Sequence, residues 1–130
     1  MHDPLVWIDC EMTGLSLVDD ALIEVAVIVT DYQLQPLDKG IDLLIKPSQQ
    51  ALEQMDYFVR SMHTHSGLLE QLAGPEAMDM EAATAEVLAY IKRLVPQERT
   101  ALLAGNSVGN DKNFLARDMP EVIEHLHYRI

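Results

Sequence analysis

Three carboxylates in the 130-residue chain could do chemistry together: Asp9 and Glu11 near its start, and Asp111 near its end. Asp9-Cys10-Glu11 closes the apolar run Leu5-Val-Trp-Ile8, and residues two apart on a strand project from the same face. Two anions side by side at the edge of a core are unfavourable until something neutralises them. A hard divalent cation such as Mg2+ or Mn2+ does so, because it prefers carboxylate oxygens and keeps waters that substrate phosphates can replace. Solvated acids at a strand end would produce the same Asp-x-Glu, so the pair alone decides nothing. Asp111 adds a second signal. It follows the polar, Gly-containing stretch Gly105-Asn-Ser-Val-Gly-Asn, near the start of a helix whose dipole favours an anion. If the first and fourth strands are neighbours, their ends set Asp111 opposite Asp9 and Glu11, and carboxylates from separate elements suit a metal-and-phosphate site.

The elements that must position these residues are legible in outline. Residues 5–8, 21–30 and 40–45 read as strands, the second rich in β-branched residues and the third stopped by Pro47. Links of moderate length make an antiparallel meander the economical arrangement. Residues 49–71 have apolar residues at helix-like spacing, with Ser66 as a possible cap, and Gly74-Pro75 breaks the chain. Asp79 caps a helix whose Met80, Ala83, Val87, Leu88, Ile91, Leu94 and Val95 share one face, and Pro96 ends it. Residues 101–105 form a fourth strand, 109–119 a helix, and Pro120 opens another helical turn. His127-Tyr-Arg-Ile130 reads as the start of one more strand. The order β-β-β-α-β-α predicts a single α/β domain over residues 1–130, a mixed sheet flanked by helices.

Composition excludes several classes. With 48% hydrophobic and 23% charged residues the chain can bury a core, so it is neither disordered nor collagen-like. Its formal charge of −12, from 9 basic and 21 acidic residues, opposes a broad grip on long duplex DNA or an anionic membrane. Any nucleic acid it handles should be short or held through metal ions. One Cys permits no internal disulfide, and the chain shows neither a signal peptide at Met1-His2-Asp3-Pro4 nor an apolar run near ~18 residues. A cytoplasmic setting is the expectation.

Leu5-Val-Trp-Ile-Asp-Cys-Glu-Met-Thr-Gly-Leu15 resembles the first exonuclease motif of oligoribonucleases, members of the DEDD superfamily of 3′-to-5′ exonucleases with an RNase H-like fold. Gly105-Asn-Ser-(x)3-Asp111-(x)2-Phe114-Leu115 resembles the second motif, and His127-Tyr-Arg129 a further signature, so the likeness runs from Leu5 to Arg129. It implies hydrolysis of very short RNA, chiefly dinucleotides, to nucleoside 5′-monophosphates with two divalent ions, Mg2+ or Mn2+. It assigns Asp9, Glu11 and Asp111 as catalytic metal ligands. Leu15 corresponds to a wedge between the two bases, and Phe58, where a Trp is usual, to a stacking face. His63 matches a nucleotide contact, while Ser107 and Arg129 match residues capping the 5′ phosphate. Tyr128 matches a residue that reaches into a partner's site, which implies a homodimer.

The third motif of that family, with a final Asp and a general-base His, has no match up to Ile130. His63, His65, His125 and His127 all stand in other contexts. The expectation is a piece of a longer protein, or a chain rescued by a partner, with one sheet face incompletely covered and no catalysis by these 130 residues alone. Two other readings stay open: a non-catalytic dimerising module that binds nucleotide or metal, and a DNA-directed exonuclease of the same fold. Elsewhere plain readings suffice: Cys10 as a buried strand thiol, the methionines as core filler, Asp19-Asp20 as a solvated turn, and Tyr57 and Phe58 as core on composition alone.

Overall fold

A computed structural model of the chain describes residues 3–129. Strand β1 (Leu5–Met12) is followed by β2 (Leu22–Thr30) and β3 (Ile41–Leu44). Three short helices come next, α1 (Gln49–Gln54), α2 (Tyr57–Ser66) and α3 (Leu68–Leu72), then the longer α4 (Met80–Leu94). β4 (Leu102–Ala104), α5 (Val108–Asp118) and α6 (Pro120–His125) complete the described part. The sheet order is β3-β2-β1-β4, with β1 antiparallel to β2, β2 antiparallel to β3, and β1 parallel to β4. The predicted mixed α/β sheet, a three-stranded meander plus one parallel strand, is the observed one.

Local chemistry explains most boundaries. Asp79 caps α4 by accepting from Ala82 N at 2.7 Å, Lys92 and Arg93 face the negative end of its dipole, and Pro96 lies just beyond. Arg93 then bridges to Asp38 at 2.8 Å, tying that end to the β2–β3 link. β1 carries Asp9 and Glu11 at its end, as expected, because the nine-residue β2 offers a partner as far as Glu11↔Glu24. Two sequence expectations need correction. Ser66 ends α2 and does not begin a helix; Gly67, at φ +85°, turns the chain into α3. Residues 127–129 lie in no strand, although His127 N donates to Ala101 O at 2.8 Å, and Ile130 falls outside the described residues.

Alternation along β1 sorts the sheet into two faces. Val6, Ile8 and Cys10 join Val25, Val27, Val29 and Leu103 in a buried layer against Val87 and Ile91 of α4, Phe114 and Leu115 of α5, and Val122 of α6. Trp7, Asp9 and Glu11 point the other way, where only partial cover exists. There Trp7, Ala26, Ile28 and Ile41 line an open cleft of about 680 Å³ that reaches Asp9 and Asn106.

The two phenylalanines separate core from surface. Phe114 is wholly buried, whereas Phe58 is 75% exposed, which overturns the composition-based placing of Tyr57 and Phe58 in the core. Phe114→Ala should cost ~3–5 kcal/mol in denaturant unfolding, while Phe58→Ala should change stability by no more than ~0.5 kcal/mol. Similar losses for both would mean that α5 is not packed as described.

Candidate active site

The site is built around the end of β1. β4 is three residues long and its pairing stops at Trp7↔Ala104, so β1 runs on past its parallel neighbour. Gly105 lets the chain turn off closely there, since a Cβ would lie 2.7 Å from Ile8 O. The chain then enters α5, and Asp111 in its first turn reaches back: its Oδ2 accepts from Cys10 N at 3.2 Å. A buried backbone donor is thereby satisfied by a carboxylate. Cys10 lies between Asp9 and Glu11, so this hydrogen bond sets Asp111 beside the stretch of strand that carries the other two acids.

Their environments differ. Asp9 is exposed, Glu11 half-buried and Asp111 buried. Burial raises the Asp111 carboxyl above its usual range, partly offset by the Cys10 N–H and reinforced by the charges of Asp9 and Glu11. Burial likewise raises Glu11, opposed by His63 and reinforced by Asp9. The Cys10 thiol is pushed far up, by burial first and then by Asp111, Asp9 and Glu11, so it is an inert strand thiol. A bulge between Glu11 and Met12 breaks the β1–β2 register where the acids end. Bulges of this kind re-aim side chains beside functional sites.

Two further acids face the same region. Glu24 is the cross-strand partner of Glu11, and Asp42 is the partner of Ala26 on the next strand. Burial, a hydrogen bond shared with Asp42, and the charges of Asp42, Glu11 and Asp9 push the Glu24 carboxyl up to about 7. Sequence reading passed over both, and the signal that could have found Glu24 is a lone acid inside the β-branched run of β2. The donor set is all carboxylate oxygen and mutually repelling, which suits a hard cation. Among the described residues no three His, Cys, Asp or Glu side chains close on one metal position. An oxygen donor set of this kind suits ions such as Mg2+ that take one or two protein carboxylates and fill the rest of their shell with water or phosphate.

The remaining predicted site residues fall in three places. Leu15, 78% exposed, stands on the loop after β1, and Phe58 stands on the open side of α2 beside the equally open Tyr57. His63, also on α2, is buried, and its Nε2–H donates to Met12 O at 2.8 Å, tying α2 to the end of the acidic strand. Ser107 is the N-cap residue of α5, with left-handed backbone at φ +53° and a hydroxyl that caps nothing. Tyr128 is exposed and stacked on His127 with ring centres 4.5 Å apart, and the Arg129 guanidinium carbon lies 5.6 Å from the centre of the Tyr128 ring. His125 and His127 form no metal pair: His125 Nε2–H donates to Val95 O, and His127 Nδ1 accepts from Arg129 N.

A family model described as Exonuclease matches residues 6–130. The chain belongs to the exonuclease family. It is 56% identical over 130 residues to the oligoribonuclease of Streptomyces griseus, covering all of this chain and 64% of that one. It is 52% identical over 127 residues to the oligoribonuclease of Leifsonia xyli, covering 98% and 60%. The chain thus spans less than two thirds of the length of these relatives. Among solved structures, apo exonuclease I superposes with a TM-score of 0.69 at 15% identity, over 95% of this chain and 26% of that one. E. coli exonuclease I in complex with a dA16 oligonucleotide gives 0.70 at 15%, over 94% and 24%. These two establish a shared exonuclease fold, in keeping with the RNase H-like architecture that the motifs imply.

Glu24 offers a test of the electrostatics. Its folded-state pKa of about 7 exceeds the ordinary 4.5, so the folded protein holds that proton more tightly and loses stability as pH rises between the two values. In metal-free buffer Glu24→Gln should therefore gain on the parent at pH 8 by about 1 kcal/mol, after discounting for solvent screening. Below pH 4.5 the gain should vanish. Thermal melts at the two pH values check this, and an equal gain at both would contradict it.

Proposed function

We propose that the intact protein is a 3′-to-5′ exoribonuclease that hydrolyses very short RNA, dinucleotides foremost, to nucleoside 5′-monophosphates. Residues 1–130 act as its exonuclease domain. The observation that supports this reading is the Asp111 carboxylate held on the Cys10 N–H, between Asp9 and Glu11 on the strand. The 51–56% identity to oligoribonucleases supports the substrate class. Mg2+ or Mn2+, two per site, would be held by these three carboxylates and would supply Lewis-acid activation of water and charge stabilisation at the phosphate.

The chain's own residues do the binding. Leu15 and Phe58 are large apolar side chains held out to solvent, which is costly for a surface without a partner and useful for stacking bases. Ser107 presents a free hydroxyl at the start of α5, and Arg129 an exposed guanidinium, both suited to a terminal phosphate. His63 holds α2, and so Phe58, against the acidic strand through Met12 O. Tyr128, exposed on one protomer, would cap the second base in its partner, making the working unit a homodimer. A pocket closed at both ends also explains tolerance of the −12 charge, since no long polyanion need be tracked. No described helix is long and apolar enough to cross a membrane, and the lone buried Cys10 suits a reducing cytoplasm.

A second reading, a non-catalytic nucleotide- or metal-binding module, is favoured by one observation. Among the described residues, His63 and His125 are spent on backbone carbonyls and no histidine stands by the acids as a free base. We therefore expect catalysis only from the intact protein. The same experiment tests both readings and the DNA alternative. Mn2+ titration by calorimetry should show binding that weakens at least about tenfold in Asp9→Ala. The intact protein should cleave a ribo-dinucleotide faster than a longer RNA and faster than the deoxy-dinucleotide, whose missing 2′-hydroxyl a two-nucleotide pocket can sense. Equal metal affinity in parent and variant would remove the site, metal binding without turnover would favour the module, and preference for DNA would favour the third reading.

A further inference from the structure

The segment between β1 and β2 exposes Leu15, Leu17 and Val18, yet its backbone is closely held. The Asp20 carboxylate sits inside the loop it closes. Its Oδ1 accepts from Thr13 Oγ1 at 3.0 Å and its Oδ2 from Ser16 N at 2.9 Å. Thr13 Oγ1 in turn accepts from Ala21 N at 2.9 Å, and Thr13 N donates to Ala21 O at the same distance. Gly14 passes over this carboxylate so closely that a Cβ would lie 2.3 Å from Oδ2. The turn expected to be simply solvated is therefore organised from within by one of its two acids.

A second anchor comes from α5. Arg117 spreads its guanidinium across two elements: Nη1 donates to Leu17 O at 2.6 Å and Asp20 O at 2.8 Å, while Nε and Nη2 pair with Asp118 at 2.8 and 2.6 Å. The Phe114 ring lies beneath it, 4.9 Å from the guanidinium carbon. A planar fork can make these contacts together, and an ammonium cannot. The helix that Arg117 closes is the one that carries Asp111. The loop, Arg117, α5, Asp111, the Cys10 N–H and β1 thus form a closed ring of hydrogen-bonded parts.

We propose that Asp20 and Arg117 are positioning residues that hold the Leu15 loop in register with the acidic site, so that the stacked base and the phosphate are presented at a fixed spacing. This deepens, and rests on, the exoribonuclease reading. Neither residue touches the reacting atoms. Their effect is transmitted through Leu15, and that makes it separable from general stability.

The test compares the intact protein with Leu15→Ala, Asp20→Asn, Arg117→Lys, Arg117→Met and the double variant L15A/R117M. KM and kcat on a ribo-dinucleotide are measured with Mn2+, alongside melting temperature and Mn2+ affinity. Arg117→Met and Asp20→Asn should each raise KM about tenfold, with Mn2+ affinity unchanged and kcat within about twofold. Arg117→Lys should recover little of the loss. Because the loop acts through Leu15, the double variant should be little worse than Leu15→Ala. Effects that simply multiply, or a KM unmoved in both single variants, would overturn the proposal. If the parent cleaves no dinucleotide the exoribonuclease reading fails, and amide exchange at Ser16 and Asp19 then decides the loop claim by itself. Exchange unchanged in Arg117→Met and Asp20→Asn would refute it, and faster exchange in both would uphold it.

Discussion

One hydrogen bond, from the Cys10 N–H to the Asp111 carboxylate, ties the two halves of this structure together. The partners are 101 residues apart in sequence, and the bond is possible only because β4 ends before β1 does. A longer β4 would have paired that N–H within the sheet and pushed α5 away from the acids. Phe114 and Leu115 fix α5 from the core side, and Gly105 permits the close departure from β4. Packing, turn chemistry and a polar contact therefore all set the position of one carboxylate.

That arrangement has an electrostatic cost. Asp9, Glu11, Asp111, Glu24 and Asp42 share one end of the sheet in a protein already carrying −12, and burial raises the proton affinity of Glu11, Glu24 and Asp111. A protein selected for stability alone would not keep them, since an apolar or neutral side chain at Glu24 would relieve the strain. Acids of raised proton affinity gather at functional sites, and Glu11, Glu24 and Asp111 lie where two strands and a helix meet, in keeping with the proposed metal site. The open face beside them, floored by Trp7, Ala26 and Ile28, leaves Asp9 accessible.

Much of this was legible in the sequence, and the exceptions have physical causes. The β1–β2–β3 meander followed from β-branched runs and links of moderate length, the parallel β4 from the motif likeness, and α4 from its capping Asp79 and apolar stripe. Asp9, Glu11 and Asp111 were candidates from period-two geometry, helix position and that likeness. What was missed depended on long-range contacts. Ser66 was misread because a Gly at φ +85° can join two helices without a gap. Asp20 looked like any turn acid because its partners, Thr13 and Ser16, matter only once the loop closes. Glu24 was hidden within an apolar run, and its role emerges only from the register that sets it against Glu11. Composition alone favours the core for Phe58, whereas its helix turns that side outward, where the motif likeness expects a stacking face.

The central claim is that Asp111 holds the end of β1 through Cys10. Site-resolved amide hydrogen exchange on the parent and Asp111→Ala measures this directly, because a side-chain acceptor lost at one amide leaves the rest of the ladder intact. Cys10 should exchange at least about tenfold faster in the variant, while the amides paired between β1 and β2 keep their protection. Unchanged protection at Cys10 would show that the strand end is held by something else, and the convergence of the three carboxylates would lose its structural basis.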